Sequence, residues 1–169
     1  MRNAVEVANI AYNEGVTWVA IHGRTRAQGY AGLADWDFIG DVKAKSKISI
    51  IGNGDIHTAE QAVTRLKTYG LDGVMIGRGC LKNPWIFQES RILYHQHEQK
   101  SVDKDFQKAF FRLKTYLEKT CDDKLMSIQL KKFAAWFSAG YPESSKFRKA
   151  LFDSKSVSEL WIVIEKYFA

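Results

Sequence analysis

The chain has 169 residues and a mass of 19.3 kDa, with 46% hydrophobic residues, 26% charged residues and two prolines. That composition excludes collagen-like, proline-rich and highly charged disordered chains, and it suits one good core plus a small second module. The net charge of +6 is unevenly spread, with +1 on residues 1–90 and +5 on residues 91–169, so a polyanionic partner is expected mainly of the second half.

No run approaches the roughly 20 apolar residues that span a bilayer, and the start, Met1 to Glu6, lacks an apolar signal core. The expectation is a cytoplasmic protein with no membrane partner. Cys80 and Cys121 are too few for a disulfide scaffold or a four-ligand zinc site, so no metal is expected.

In chain order, Val5, Ala8 and Tyr12 recur at helical spacing within Arg2 to Glu14, and Gly15 stands where a left-handed cap ends a helix. Val16 to Ile21 reads as a buried strand. A helix is predicted at Ala34 to Lys45, a strand at Ile48 to Ile51, a helix at Ala59 to Tyr69 and a strand at Gly73 to Ile76. Alternation of this kind predicts β-α units around a parallel sheet. Asn83 and Pro84 read as the cap and first residue of a helix running to His95.

Residues 96–104 are polar and read as a linker. Beyond them the period is helical throughout, with one stripe at Phe106, Phe110, Leu113 and Leu117 and another at Ile128, Leu130, Phe133, Trp136 and Phe137. A short helix at Glu143 to Phe152 and a last one from Ser156 complete an expected bundle of about four helices over 105–169.

Parallel α/β folds collect ligands at the carboxyl ends of their strands. The three predicted ends are His22-Gly23-Arg24-Thr25-Arg26, Gly52-Asn53-Gly54-Asp55 and Gly77-Arg78-Gly79. Glycines admit close backbone approach, and successive amides can hold an anion. Each loop alone also fits an ordinary turn, with Asp55 as a cap and Arg78 in an ion pair. Three such loops at equivalent positions point to a ligand site and to a phosphate clamp.

These loops, with Asn83-Pro84-Trp85-Ile86-Phe87, resemble those of the tRNA-dihydrouridine synthases, and the likeness continues through Phe133 to Tyr141, Phe147-Arg148 and the last helix. The resemblance implies an α/β fold, the carboxyl-terminal part of a TIM (β/α)8 barrel over 1–95, followed by a small all-α bundle that binds tRNA. It implies an oxidoreductase in which NADPH reduces FMN and hydride then passes to the C5=C6 bond of uridine in tRNA. By position, Asn53, Gly54, Asp55, Gly77 and Arg78 would hold the FMN phosphate and ribityl region, and His22 would face the flavin or the uracil. Arg24 and Arg26 would contact the flipped nucleotide.

Lys124, Lys131, Lys132 and Arg148 belong to a basic cluster that also reads as an ordinary solvated face. With the resemblance, they become contacts to the tRNA backbone. Family members carry five strands before this region, with a general-acid cysteine and a lysine near the flavin, and none of these is present here. No catalytic residue is therefore assigned, and activity is not expected of this chain alone. Three strands do not close a barrel, and their open edge implies the absent amino-terminal half or a swapped homodimer as a partner. Two further readings are a noncatalytic RNA-binding protein and another FMN barrel oxidoreductase.

Overall fold

A computed structural model describes residues 3–95 and 102–169. The chain divides into two compact units, Met1–Val102 and Asp103–Ala169. Residues 96–101 of the expected linker lie outside the described residues, and 102–104 have no regular structure ahead of the next helix.

In the first unit the order is α1 (Ala4–Asn13), β1 (Trp18–His22), α2 (Trp36–Lys45), β2 (Ser49–Asn53), α3 (Ala59–Thr68), β3 (Gly73–Met75), α4 (Gly79–Lys82) and α5 (Ile86–His95). The strands form one parallel sheet in the order β1-β2-β3. Helix starts follow local chemistry: Asp35 accepts the Phe38 N–H to open α2, and Thr58 accepts the Gln61 N–H to open α3. Lys43 and Lys45 lie in the last turn of α2, where the helix dipole favours cations.

The core of this unit packs Trp36, Ile39 and Val42 of α2 against Ile48 and Ile50 at β2, with Ile56 and Leu71 closing its ends. The register sets the site. His22 pairs with Asn53, and Asn53 with Met75, so all three strands finish level and deliver their loops to one edge of the sheet.

Two expectations are corrected. The segment Val16 to Ile21, read as a buried strand, is half exposed, with Trp18 at 51%, because β1 pairs only with β2 and lies at the sheet edge. The helix expected from Pro84 begins at Ile86. Asn83 keeps the cap-type bond expected of it, its Oδ1 accepting the Trp85 N–H at 3.2 Å, and its Nδ2 donates to Glu89 at 2.6 Å.

In the second unit the helices are α6 (Phe106–Thr120), α7 (Asp123–Phe137), α8 (Ser144–Asp153) and α9 (Val157–Tyr167). Asp105, Asp122 and Ser156 cap α6, α7 and α9 through their side-chain oxygens. One apolar core joins the four, built on Phe110, Leu130, Leu151, Leu160 and Ile164, each at most 1% exposed. Ile128, placed on the apolar stripe by spacing, is 52% exposed, and Met126 takes the inward position on α7.

Candidate functional site

All six residues expected at the cofactor, His22, Asn53, Gly54, Asp55, Gly77 and Arg78, line one small concavity at the level strand ends. Its volume of about 50 Å³ has room for a few water-sized groups.

The turn after β2 is held from several directions. Gly54 has φ 138° and Asp55 has φ 49°, so the chain passes through two consecutive positive-φ residues. A Cβ on Gly54 would stand 2.5 Å from the Ala34 Cβ, which restricts the position to glycine on grounds of space as well as conformation. The Gly54 carbonyl accepts the indole N–H of buried Trp36 at 3.0 Å, and Gly23 donates its N–H to the Asn53 carbonyl at 3.0 Å. Asn53 in turn donates from Nδ2 to the Met75 carbonyl at 2.8 Å, tying β2 to the end of β3. The Trp36 bond satisfies a buried indole N–H that would be costly to leave unpaired.

Asp55 and Arg24 form a bidentate pair. Arg24 Nη1 donates to Oδ1 at 2.9 Å and Nη2 to Oδ2 at 2.7 Å, with side-chain exposures of 6% and 16%. Arg24 also donates to the Ala31 and Gly32 carbonyls, and the Ala34 N–H donates to Asp55 Oδ2 at 2.8 Å. The Arg24 hydrogen bonds hold the Asp55 carboxyl below its usual range, against the opposing effect of burial. Arg24 thereby ties the loop after β1 to the turn after β2, its guanidinium donating to a carboxylate and two carbonyls. Both Asp55 side-chain oxygens accept from the protein, which fixes the carboxylate within that turn.

The side of the concavity formed after β3 is more open. A Cβ on Gly77 would meet nothing within 4 Å, so this glycine, unlike Gly54, borders open space. Arg78 is exposed, and its guanidinium lies over the ring of Tyr30, with Cζ 4.5 Å from the ring centroid. His22 Nδ1 accepts the Arg24 N–H at 3.0 Å, so a neutral ring carries its proton on Nε2 and can donate there. Arg26 borders a separate hollow of about 280 Å³ with Ile21, Thr25 and Gln28. Cys80 is half-buried, and its Sγ donates to the Gly77 carbonyl at 3.0 Å.

Spacing alone missed Trp36 and Tyr30. The first has a signal in retrospect: an aromatic directly after the capping Asp35 begins a helix whose first turn faces the next strand end. The second has none, because its contact depends on how the loop of residues 23–35 folds back.

The expected RNA contacts of the second unit fall into different settings. Lys131 Nζ donates to the carbonyls of Phe152 at 3.3 Å and Ser154 at 2.9 Å, so it caps the end of α8. Lys132 stacks over Trp136, 4.9 Å from the ring centroid, and Arg148 donates from Nε to Ser138 Oγ at 3.3 Å. Lys124 is exposed on the first turn of α7. Among the described residues no group of three or more potential metal ligands occurs, and no helix is long and apolar enough to cross a membrane.

Level strand ends, a glycine-lined concavity and an exposed arginine stand on a mixed α/β unit with a three-stranded parallel sheet, an architecture in which ligands commonly gather at the carboxyl edge. Residues 1–169 match the family model described as dihydrouridine synthase (Dus), and the chain belongs to that family. It is 37% identical over 153 residues to a probable tRNA-dihydrouridine synthase of Rickettsia conorii, covering 89% of this chain and 46% of that protein. A protein of the same name from Mycobacterium tuberculosis strain H37Rv is 34% identical over 165 residues, covering 96% of this chain and 42% of its own length. The chain thus spans about half the length of the curated relatives it matches.

Proposed function

We propose that this chain carries the cofactor-phosphate site and a tRNA-contacting helical unit of a flavin-dependent tRNA-dihydrouridine synthase, and that its first unit is the carboxyl-terminal part of a (β/α)8 barrel. The observation that carries this reading is the meeting of His22, Asn53, Gly54, Gly77 and Arg78 around one concavity at level strand ends.

The residues present suit the phosphate end of FMN. Gly77 leaves open space, Arg78 presents a cation, and the charge of Asp55 is neutralised by Arg24, so no free carboxylate opposes a phosphate. In this assignment Gly77 and Arg78 meet the phosphate, Gly54 and Asp55 shape the turn beneath it, and Asn53 keeps the two strand ends together. Bound FMN would supply hydride transfer from NADPH to the C5=C6 bond of a uridine. His22 donates from Nε2 toward the flavin or the uracil, while Arg26, Lys124, Lys132 and Arg148 meet tRNA phosphates. No general acid is assigned within the chain.

The test is a titration of the full chain with FMN and riboflavin, which differ only by the phosphate. Tighter binding of FMN, with the preference reduced in Arg78→Ala, supports the reading. Equal affinity for the two flavins removes the phosphate assignment, and no affinity for either removes the cofactor with it.

A further inference from the structure

Tyr30 leaves 79% of its surface in solvent, so burial contributes little to its placement. Its ring is nevertheless delivered to a defined spot. The loop that bears it is closed by turns in which Gln28, Gly29 and Ala31 donate their N–H groups to the carbonyls of Thr25, Arg26 and Gln28. Gln28 Oε1 accepts from Thr25 N and Oγ1 at 2.8 and 3.1 Å. Gly29 and Gly32 supply the positive φ values of 52° and 68° that turn the chain on either side of the ring. At the loop's start, Arg24 fastens it to Asp55 in the turn after β2. The ring therefore reaches the loop after β3 on a braced support.

There it faces the Arg78 guanidinium, 4.5 Å from Cζ to ring centroid. A guanidinium lying flat on an aromatic ring directs its in-plane N–H groups outward, and that planar fork is what a phosphate oxygen pair accepts; the Cζ position over the Tyr30 ring is compatible with that arrangement. Arginine carries several rotatable bonds, so a support that fixes its plane lowers the entropy lost when an anion arrives. Arg78 and Gly77 border the same concavity.

We infer that Tyr30 is a positioning residue, which holds the plane of the Arg78 guanidinium so that its N–H edge meets a phosphate monoester at the concavity. This inference rests on the cofactor reading above. It predicts that the ring matters for the phosphate and not for the rest of the ligand, and that it acts only through an arginine at position 78.

The full chain is titrated with FMN and with riboflavin as wild type, Tyr30→Phe, Tyr30→Ala, Arg78→Lys and the Tyr30→Ala, Arg78→Lys double variant. Expected is an FMN affinity about two- to five-fold weaker in Tyr30→Ala, the size of an exposed cation–π contact, with riboflavin unchanged and Tyr30→Phe like wild type. In the Arg78→Lys background, Tyr30→Ala should add nothing, because an ammonium has no plane to hold. Equal loss for both flavins, failure of phenylalanine to restore binding, or full additivity of the two substitutions would overturn the inference. If wild type binds neither flavin, the cofactor reading fails separately. Tyr30 is then judged by titrating inorganic phosphate while following the Arg78 Nε–H resonance. A phosphate shift weakened in Tyr30→Ala and kept in Tyr30→Phe supports the positioning role; the same shift in all three proteins, or none in any, overturns it.

Discussion

Replacing Asp55 with asparagine removes a charge from a nearly buried pair while keeping the side chain's shape. The carboxylate accepts three hydrogen bonds, two from Arg24 and one from the Ala34 N–H. The variant amide retains a single acceptor oxygen and turns an N–H2 toward the guanidinium. With Arg24 at 6% side-chain exposure, the abandoned cation has little water to compensate it. Breaking a buried pair by removing one partner costs about 3–5 kcal/mol. Partial solvent access at Asp55 reduces the expected loss to about 2–4 kcal/mol.

The amide of Gly23 is the reporter, because it donates to the Asn53 carbonyl and not to Asp55 itself. A loss of that size raises its native-state exchange rate by a factor of about 30 to 700. The pH dependence has a definite sign. Arg24 depresses the folded pKa of Asp55, so the stabilisation is complete above the ordinary carboxyl value near 3.8 and is lost as pH falls through the lower folded value. Wild type should therefore lose its advantage over Asp55→Asn below about pH 4. Gly23 exchange within two-fold of wild type at pH 7, or an advantage that grows with acid, would refute the assignment of Arg24 and Asp55 as the tie between the two loops.

Gly54→Ala and Gly77→Ala should separate structure from binding. The first forces a Cβ to within 2.5 Å of Ala34 at φ 138° and should destabilise the first unit by about 2 kcal/mol or more in urea denaturation. The second, with nothing in the way of a Cβ, should leave the urea midpoint unchanged and weaken FMN, and the reverse pattern would contradict the assignment of Gly77 as the open side. Lys131→Met should cost about 1 kcal/mol of stability through loss of the α8 cap and leave the salt dependence of tRNA binding unaltered. Lys124→Ala should do the opposite, lowering the slope of log affinity against log salt by about one in a filter-binding series.

The sheet and its strand ends were legible in the sequence because a buried parallel strand needs an apolar run and its exit needs turn residues. That pattern located Ile48 to Ile51, and β2 begins and ends within two residues of it. Likewise apolar spacing marked α6 and α7, and Ser156 marked the start of α9, since capping is local chemistry. Edge position is not local. Trp18 and Val19 have the composition of a buried strand, and only the sheet order shows that β1 has one paired side. The inward turn of Arg24 was hidden for the same reason, because its carboxylate partner is 31 residues away.

The two arginines of the first loop show why residue type alone could not assign roles. Arg24 and Arg26 stand two apart in Arg24-Thr25-Arg26, and both resemble contacts to a nucleic acid. After His22 the chain leaves β1 and turns, and the two side chains take different neighbours. Arg24 has a carboxylate within 2.9 Å and two carbonyls, which leaves it electrically neutralised and nearly buried. Arg26 is exposed, and no acceptor for its guanidinium lies among the described residues. An ion pair of zero net charge contributes almost no field at the distance of a phosphate backbone, whereas an unpaired guanidinium attracts it through the solvent. Charge counting over residues 1–90 hides this difference, because Arg24 and Asp55 cancel within the sum while Arg26 does not. Of the three arginines in the strand-end loops, Arg26 and Arg78 stay exposed while Arg24 is tied to the turn that Asp55 holds in place.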